Sequence, residues 1–556
     1  DCINGYADGC ETNTSNSLQH CGMCGRACSA ANATPACNNG NCEFTCSAGY
    51  YDADGDPANG CEYACTFQSM TDLPDLGFVD ANCDGIDGTV SRAIFVDALA
   101  GNDINPGTRA QPKRTVGAGI AAAAPQGFGV YVSEGTYPEA VTMMNGVSVY
   151  GGYDAATGWS RSTSNVTSID SPTTTGVSMS GLAGALELQL LTVRSANATG
   201  TDGNGDGRSS IGVLVVNSAG GLTVRGCTIQ PGSGSAGLSV GASADGPPGT
   251  RGGDATGNGS TSVVGPGGAS ACGAPGGPGG RPAVGGGNGI AGTGGTTAPG
   301  GAAGSPGGAG GTYPGSNQNG RVGVTPANGT DGNGGNNGGA GGAFGSFSAT
   351  GVYLPSAGSP GTPGQTGGGG GGAGGGSGMK RNQGTFCANI HDLWGGSGGG
   401  GGGGGCGGAA GLGGRGGGGS FGLVAIGAPL SVQSTTVTTS SGGVGGVGGA
   451  GGRGGGGGQP GGSGVAGQCE SGGCPSACGG VGGLGAWGGR GGNAGGGGGG
   501  GGGPSVCVVY RGTAPVTNAL SCAAGSGGGG GLGGLGDTQT APTGAAGTST
   551  TQLLAP

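Results

Sequence analysis

Three short acidic segments place oxygen-bearing side chains at alternate positions, a spacing that suits the binding of a hard cation. The first segment lies between residues 80 and 88, and its candidate ligands are Asp80, Asn82, Asp84 and Asp87. Gly85 and Gly88 allow the backbone to turn sharply within it. Carboxylate and amide oxygens on a tight loop are the ligands that Ca²⁺ prefers. The sequence therefore predicts a structural calcium site here.

Two further segments carry weaker versions of this pattern. Residues 202–207 contain Asp202, Asn204 and Asp206 and end in glycine. Residues 52–56 contain Asp52, Asp54 and Asp56, without a glycine at the sixth position. None of the three segments has a Glu at its twelfth position, so none is an EF-hand, and all resemble thrombospondin type 3 loops more closely. The alternative is that these Asp, Asn and Gly residues form ordinary turns.

The 20 cysteines indicate a disulfide-stabilised protein of an oxidising compartment. Eleven lie within the first 83 residues: Cys2, Cys10, Cys21, Cys24, Cys28, Cys37, Cys42, Cys46, Cys61, Cys65 and Cys83. The other nine are Cys227, Cys272, Cys387, Cys406, Cys469, Cys474, Cys478, Cys507 and Cys522. Both groups are odd in number. If all pair within one chain, a bridge must join the groups; otherwise a bridge joins two chains or thiols stay free.

The two histidines suggest zinc only weakly. His20 precedes Cys21, Cys24 and Cys28, which together offer plausible zinc ligands. In a cysteine-dense extracellular segment, however, disulfides are the stronger expectation. His391 lies in a short apolar stretch within a glycine-rich region, and we interpret it as a packing residue.

Residues with catalytic potential are sparse between positions 130 and 244. A polysaccharide hydrolase needs two carboxylates that face one groove, and a lyase needs calcium carboxylates together with a base. The acidic residues here form no close pair other than Asp202 and Asp206, and no Arg or Lys stands out as a base. We therefore predict a protein that is not an enzyme.

The composition excludes several classes of protein. Of 556 residues, 162 are glycine and only 8% are charged, with a net charge of −10. Residues 1–103 hold 15 acidic and two basic side chains, so the acidic excess is N-terminal. A nucleic-acid binder needs a basic face, collagen needs glycine at every third position, and a coiled coil needs heptads. No run of 18 apolar residues predicts a transmembrane helix.

The first 244 residues divide into three regions. Residues 1–65 repeat the pattern DxxxxxxxGCE, in DCINGYADGCE and DADGDPANGCE, and contain CGMCGRAC. This region resembles the tandem cysteine-rich modules of bacterial secreted and surface proteins. Residues 66–92 form an acidic linker. Residues 93–244 contain short apolar segments separated by turn residues, a pattern typical of an all-β sandwich or solenoid.

The third region carries a second resemblance. FVDALAGNDINPGT, then VYVSEGTYPEAV and GVSVYGGYD, resemble the opening of a right-handed parallel β-helix of the pectate-lyase-like superfamily. The resemblance implies that a helix at residues 115–124 caps the first turn. Ser210, Ser420 and Ser505 each begin a similar apolar segment, and Cys227 and Cys522 both lie 17 residues after their opening serine. Residues 420–441 and 505–556 are therefore predicted to be later coils equivalent to the one at Ser210, the last followed by a C-terminal tail. The fold class predicted is therefore all-β, with glycine-rich insertions at residues 245–419 and 442–504.

The glycine-rich insertions admit two interpretations. A disordered linker is the simpler one, because glycine loses the most conformational entropy on ordering. We favour ordered polyglycine II, in which extended helices with three residues per turn bond to their neighbours. The insertions contain cysteines and scattered aromatic residues but little Ser, Lys or Glu, unlike flexible linkers.

These observations together predict an extracellular structural protein of a bacterial surface, with its signal peptide already removed. We expect it to self-associate into a fibre, stalk or matrix rigidified by disulfides, Ca²⁺ and glycine packing. One alternative is a monomeric surface adhesin that binds glycans or a host or prey surface. Another is a polysaccharide lyase or hydrolase built on the β-helix.

Overall fold

The computed structural model describes residues 13–53, 55–56, 60–257, 259–299, 301–316, 318–380, 392–464, 466–469 and 478–556. The N-terminal region contains two antiparallel pairs, β1 (Ala33–Asn38) with β2 (Asn41–Cys46) and β3 (Tyr50–Tyr51) with β4 (Tyr63–Ala64). A 3₁₀ turn at Val90–Arg92 then leads into β5 (Ala93–Val96), which is followed by the helix α1 (Val116–Ala123). No helix among the described residues combines the length and apolar character needed to cross a membrane.

Most of the remaining elements are short strands. In chain order they are β6 (Gly129–Ser133), β7 (Gly135–Tyr137), β8 (Val141–Thr142), β9 (Val149–Asp154), β10 (Ser160–Arg161), β11 (Thr167–Ser171), β12 (Thr175–Ser180), β13 (Leu186–Gln189), β14 (Leu191–Ser195), β15 (Ser210–Val216), β16 (Leu222–Arg225), β17 (Thr228–Gln230), β18 (Ser346–Phe347), β19 (Tyr353–Leu354), β20 (Ser420–Ile426), β21 (Leu430–Gln433), β22 (Thr436–Thr438), β23 (Ser505–Arg511), β24 (Val516–Asn518), β25 (Ser521–Ala523) and β26 (Ser549–Leu554). Two further 3₁₀ turns lie at Ala155–Thr157 and Gly259–Thr261.

Three parallel sheets organise these strands. The first sheet contains β5, β6, β9, β13, β16, β21 and β24 in spatial order, and β10 pairs antiparallel with β9 at its side. The second sheet contains β7, β11, β14, β17, β22 and β25, and the third contains β8, β12, β15, β20, β23 and β26. From β6 onward the chain visits the first, second and third sheets in the same order on each passage. Strands far apart in sequence therefore lie next to one another.

Apolar columns fill the space between the sheets. Ile169, Val193, Ile229 and Val437 stack in the second sheet and are fully buried. In the first sheet Leu188, Val224 and Val432 do the same. Each buried aliphatic side chain contributes about 1.5–3 kcal/mol relative to exposure.

Helix α1 lies within the predicted helical segment 115–124 and packs its apolar residues into the same core. Val116, Ile120 and Ala123 are buried, and the Thr115 hydroxyl accepts a hydrogen bond from the Ala118 amide at 3.2 Å. The Glu139 carboxylate accepts the amides of Val116 and Gly117 at 2.7 and 2.9 Å. This carboxylate therefore satisfies the otherwise unpaired N–H groups at the helix start.

The glycine-rich segments leave the sheets at a single corner, between the second and third sheets. They connect β17 to β20, β22 to β23 and β25 to β26. The last of these, between residues 524 and 548, lies in what the sequence analysis treated as the last coil and C-terminal tail. The shorter connection from β14 to β15 contains residues 202–207 and leaves the same corner.

Successive backbone amides in the segment 398–418 donate hydrogen bonds to three neighbouring segments in turn. The amides of Gly398, Gly401 and Gly404 donate to the carbonyls of Gly280, Gly277 and Ala274 at 2.8–2.9 Å. Those of Gly399, Gly402 and Gly405 donate to Gly483, Ala486 and Gly489 at 2.9–3.0 Å. Those of Gly400, Gly403 and Cys406 donate to Gly253, Thr250 and Pro247 at 2.9–3.1 Å. Successive residues thus bond to different neighbouring segments, and we call this packed assembly the glycine plate.

The close approach of these segments requires glycine. A Cβ added at Gly402 would lie 2.0 Å from the carbonyl oxygen of Gly458, and one added at Gly403 would lie 2.2 Å from that of Ala269. Real Cβ atoms do not approach backbone oxygens so closely, so a side chain here would push the segments apart. A disulfide between Cys272 and Cys406, 134 residues apart, also links two segments of the plate.

Two adjacent glycines of the plate, of which Gly455 is buried and Gly456 is exposed, provide a matched test of this packing. A Cβ at Gly455 would lie 2.1 Å from the Pro247 carbonyl oxygen, whereas one at Gly456 would meet nothing within 4 Å. We expect Gly455→Ala to destabilise the protein by about 2 kcal/mol because the packed backbone must shift. We expect Gly456→Ala to leave the unfolding midpoint nearly unchanged. Scanning calorimetry measures both, and equal midpoints for the two variants would contradict the packing described.

Candidate metal site

The acidic segment at residues 80–88 forms a tight loop stabilised by its own side chains. The Asp80 carboxylate accepts the amides of Asp84 and Gly85 at 3.3 and 2.8 Å. Asn82 Oδ1 also accepts the Asp84 amide, at 3.2 Å, and its Nδ2 donates to Asp84 Oδ2 at 2.9 Å. Cys83 and Gly85 adopt φ angles of 57° and 92°, which turn the chain back on itself. Asp80, Asn82 and Asp84 are therefore gathered in one loop, as the spacing predicts.

One oxygen of this loop lacks a partner. Asp84 Oδ2 accepts the Val90 amide at 2.8 Å, whereas Asp84 Oδ1 is buried with no donor at hydrogen-bond geometry, although the Ile86 amide lies near enough to lower the pKa of this carboxyl. A buried, unpaired carboxylate oxygen is costly unless a donor or a cation satisfies it. This atom is the observation that fits a bound cation.

The surroundings of the loop are acidic. Asp72 accepts the amides of Ala81 and Gly88 at 3.3 and 2.8 Å and is almost completely buried. Burial raises the pKa values of Asp72 and Asp84, and the charge of Asp80 raises both further. Burial, followed by the charge of Asp80 and a hydrogen bond to it, raises the pKa of Tyr63 to about 12. A divalent cation would offset this concentration of negative charge.

Asp87, the fourth predicted ligand, is used differently. Its Oδ2 lies 2.8 Å from Arg161 Nη1, and the two side chains are 2% and 0% exposed. Its Oδ1 accepts the Asp75 amide at 3.1 Å. Burial raises the pKa of Asp87 to about 6, although the Arg161 charge opposes the shift. Asp87 therefore anchors the acidic linker to the sheets instead of facing the other three side chains.

Arg161 organises this anchor. Its guanidinium donates to the carbonyls of Gly151 and Asp75 and to Gln189 Oε1, at 2.9, 3.0 and 2.6 Å. It also lies 5.0 Å from the centre of the Tyr153 ring. Neither Arg161 nor Asp72 is predicted from the sequence as part of this site. Both come from outside residues 80–88, so the spacing within that segment gives no signal for them.

The segment at residues 202–207 uses one oxygen of Asp202 and one of Asp206 in turn and packing contacts. Asp202 Oδ1 accepts the amides of Asn204 and Asp206 at 2.8 and 2.9 Å. Asp206 Oδ1 accepts the amide of Gly416, in the glycine plate, at 3.1 Å. Burial and the charge of Asp202 raise the pKa of Asp206, and the Gly416 amide opposes this. These bonds form a turn and position this loop against the plate.

The third acidic segment is exposed. Asp52 Oδ1 accepts the Gly55 amide at 2.7 Å, and both Asp52 and Asp56 are exposed to solvent. Asp54 lies outside the described residues.

Seven cysteine pairs are formed among the described residues. They are Cys21–Cys37, Cys28–Cys42, Cys46–Cys61, Cys65–Cys83, Cys272–Cys406, Cys469–Cys478 and Cys507–Cys522. Cys24 is also disulfide-bonded. Cys2, Cys10, Cys387, Cys474 and His391 lie outside the described residues. Each of the seven pairs joins cysteines of the same group, so none of them connects the N-terminal region to the plate.

The disulfides argue against zinc ligation at His20. Sulfur atoms of Cys21, Cys28 and Cys42 lie within 4.8 Å of one another, but all three belong to disulfides and offer no thiolate. His20 Nδ1 accepts the Gly25 amide at 2.9 Å. Among the described residues, no three carboxylates of the 80–88 loop bring oxygens as close together as these sulfurs.

Cys227 does not form the disulfide that the sequence analysis predicted. It is a free thiol, 2% exposed, in the core between the sheets. Cys227 does not occupy the position in the second sheet that corresponds to Cys522. That position is taken by Ile229, because Ile229 pairs with Val437 and Val437 pairs with Cys522. The connection from β15 to β17 has two more residues than those from β20 to β22 and from β23 to β25. These two residues displace Cys227 from the column that contains Cys522. Burial raises the pKa of this thiol to about 12.

Comparisons with known proteins leave the family open. No protein-family model matches the chain, and no curated protein matches it. One similar solved structure is the crystal structure of a GH136 lacto-N-biosidase from Eubacterium ramulus, at 11% identity and a TM-score of 0.19. The match covers 25% of this chain and 27% of that enzyme's chain. A likeness this low carries no argument about fold or activity.

Calcium binding at the 80–88 loop is testable with two matched variants. We expect Ca²⁺ to raise the unfolding midpoint of the N-terminal region, because it would satisfy Asp84 Oδ1 and reduce carboxylate repulsion. Asp84→Asn should weaken Ca²⁺ binding at least tenfold, and Asp202→Asn should leave it unchanged. The affinity should fall as the pH is lowered, because protons compete for carboxylates whose pKa values are raised. Isothermal titration calorimetry measures the affinities and scanning calorimetry measures the midpoint, and equal affinities for the two variants would exclude this loop.

Proposed function

We propose that this protein is a non-enzymatic extracellular structural protein, a subunit of a bacterial surface fibre, stalk or matrix. The observation that carries the proposal is the glycine plate. A large share of the chain forms a lattice of backbone hydrogen bonds. This lattice has few charged or aromatic side chains, and most of its close contacts need glycine. Such a lattice resists deformation because each segment bonds to several neighbours.

The proposed architecture is a right-handed parallel β-helix that carries polyglycine II insertions. The repeated passage through three parallel sheets supports the β-helix. The rotation of amide donors with a period of three supports polyglycine II, which has three residues per turn and no internal hydrogen bonds. In this arrangement the β-helix fixes the starting positions of the insertions, and the insertions form a rigid extension at one corner.

Several disulfides in the described residues fit an extracellular location, since such bonds persist mainly in oxidising compartments. Carboxylates in the sheets have structural partners, which supports a role other than catalysis. Asp170 lies 3.1 Å from Arg194, and Glu187 lies 2.9 Å from Arg225 on the outer faces. The Glu139 carboxylate accepts the Val116 amide at the start of α1.

Calcium is proposed as a structural cofactor of the linker. Asp80, Asn82 and Asp84 would hold it, and the unpaired Asp84 Oδ1 supports this assignment. Bound Ca²⁺ would stiffen the loop next to the Asp87–Arg161 anchor. The cysteine-rich region would then keep a fixed direction relative to the sheets, as a fibre subunit requires.

Self-association is proposed to use the free edges of the sheets. Among the described residues, no strand pairs with the outer edges of β24, β25 and β26. The opposite edge differs, because Phe95 in β5 exchanges backbone hydrogen bonds with Gly107 and Lys113 at 2.8–2.9 Å. An exposed edge offers unpaired N–H and C=O groups to a strand of another molecule.

This assembly can be tested at one residue of β24. The Asn518 carbonyl accepts the Ser434 amide at 2.9 Å, so the alternation of a parallel ladder directs the N–H of Thr517 toward the free edge. Thr517→Pro removes that N–H without removing a bond to β21, and Thr517→Val retains it. In calcium and without reductant, electron microscopy should show filaments for the wild type and Thr517→Val and few for Thr517→Pro. A wild-type protein that stays monomeric at high concentration would contradict the proposal.

A further inference from the structure

One outer segment of the glycine plate carries a line of exposed side chains. In the segment 478–503, the residues at three-residue spacing include Leu484, Trp487, Arg490 and Asn493. Leu484 and Trp487 are 48% and 47% exposed, and Arg490 and Asn493 are also exposed. Their neighbours in the sequence are mostly glycine and alanine buried in the lattice. The four side chains therefore stand out on a flat backbone surface.

A neighbouring segment fixes the backbone beneath this line. The amide of Trp487 donates to Asn328 Oδ1 at 3.1 Å, and the amide of Arg490 donates to Asp331 Oδ1 at 2.7 Å. The amide of Gly329 donates a hydrogen bond to the Trp487 carbonyl at 2.9 Å. Because the backbone is held on both sides, a ligand that binds these side chains need not order the backbone beneath them.

A cavity of about 260 Å³ opens at the polar end of the line. Its side-chain walls are Asp331, Arg490, Asn493 and Asp537, and its floor is glycine backbone. Asn493 Nδ2 donates to Asp537 Oδ1 at 2.7 Å, and Asn493 Oδ1 accepts the Gly454 amide at 2.9 Å. A Cβ at Gly334 would lie 2.3 Å from Asp537 Oδ2, so glycine at this position leaves room for the carboxylate at the cavity wall.

The combination of groups is suited to a sugar. An indole presents a flat apolar face to the C–H groups of a pyranose ring, and planar carboxylate, amide and guanidinium groups pair with its hydroxyls. Trp487 lies one triplet from Arg490, about 9 Å at the ~3.1 Å rise of polyglycine II, which a disaccharide spans. Two carboxylates against one guanidinium disfavour a polyanion.

We propose that this line and its cavity form a binding groove for a neutral oligosaccharide segment of an extracellular glycan. Trp487 stacks on a sugar ring, and Asp537, Asn493 and Arg490 bind the hydroxyls of the next ring in the cavity. This function goes beyond the proposed structural role. It is independent of filament formation, because the groove lies on the plate and the free edges lie on the sheets.

The test is isothermal titration of the full-length protein with cellohexaose, chitohexaose and hexagalacturonate. We expect binding of at least one of the two neutral hexasaccharides and none of the uronate. Trp487→Ala should weaken that binding at least tenfold, and Asp537→Asn should weaken it severalfold. Leu412→Ala removes an equally accessible apolar side chain (57% exposed) from another segment of the plate and should have no effect.

Three results would overturn the groove. The first is the absence of binding of both neutral hexasaccharides at millimolar concentration. The second is equal affinity for the wild type and Trp487→Ala, and the third is preference for the uronate. Trp487 is exposed, so its replacement should not affect folding, and an unchanged unfolding midpoint checks this. Filaments that form normally in Trp487→Ala would separate the failure of this proposal from that of the structural role.

Discussion

A buried peptide N–H must find an acceptor, and this requirement shapes most of the molecule. In the segment 398–418 successive amides donate to different neighbouring segments, so one segment needs neighbours on several sides. Neighbours can approach closely enough only if the Cβ is missing, as at Gly402 and Gly403. The abundance of glycine is thus explained by hydrogen bonding, and the scarcity of apolar side chains does not prevent order.

The three sheets provide what the plate cannot provide for itself. Glycine segments have almost no side chains to specify which neighbour they take or at what register. The strands on either side of each insertion are held in fixed register by apolar columns such as Ile169, Val193 and Ile229. Each insertion begins at a strand of the second sheet and ends at a strand of the third. The register of these strands therefore fixes the two ends of each glycine segment in the plate. Disulfides such as Cys272–Cys406 then secure points far from the sheets.

The sequence predicted those features that side-chain patterns encode locally. The alignment of Ser210, Ser420 and Ser505 is confirmed by their direct pairing in adjacent strands. The loop at Asp80, Asn82 and Asp84 also follows from spacing alone. Partners brought together by the fold could not be predicted, as for Arg161 with Asp87, 74 residues apart. The free thiol of Cys227 could not be predicted either. Its spacing from Ser210 suggests the same position as Cys522, but two extra residues between β15 and β17 place it elsewhere.

The most direct measurement of the central claim is amide hydrogen exchange, by mass spectrometry, in the segment 398–418. This segment holds few side chains, so protection there reports backbone hydrogen bonds and little else. The lattice described predicts strong protection across the segment, comparable to that of β15 and β20 in the sheets. Exchange within seconds, at the rate of an unstructured chain, would show that these amides have no lasting partners and would contradict the account.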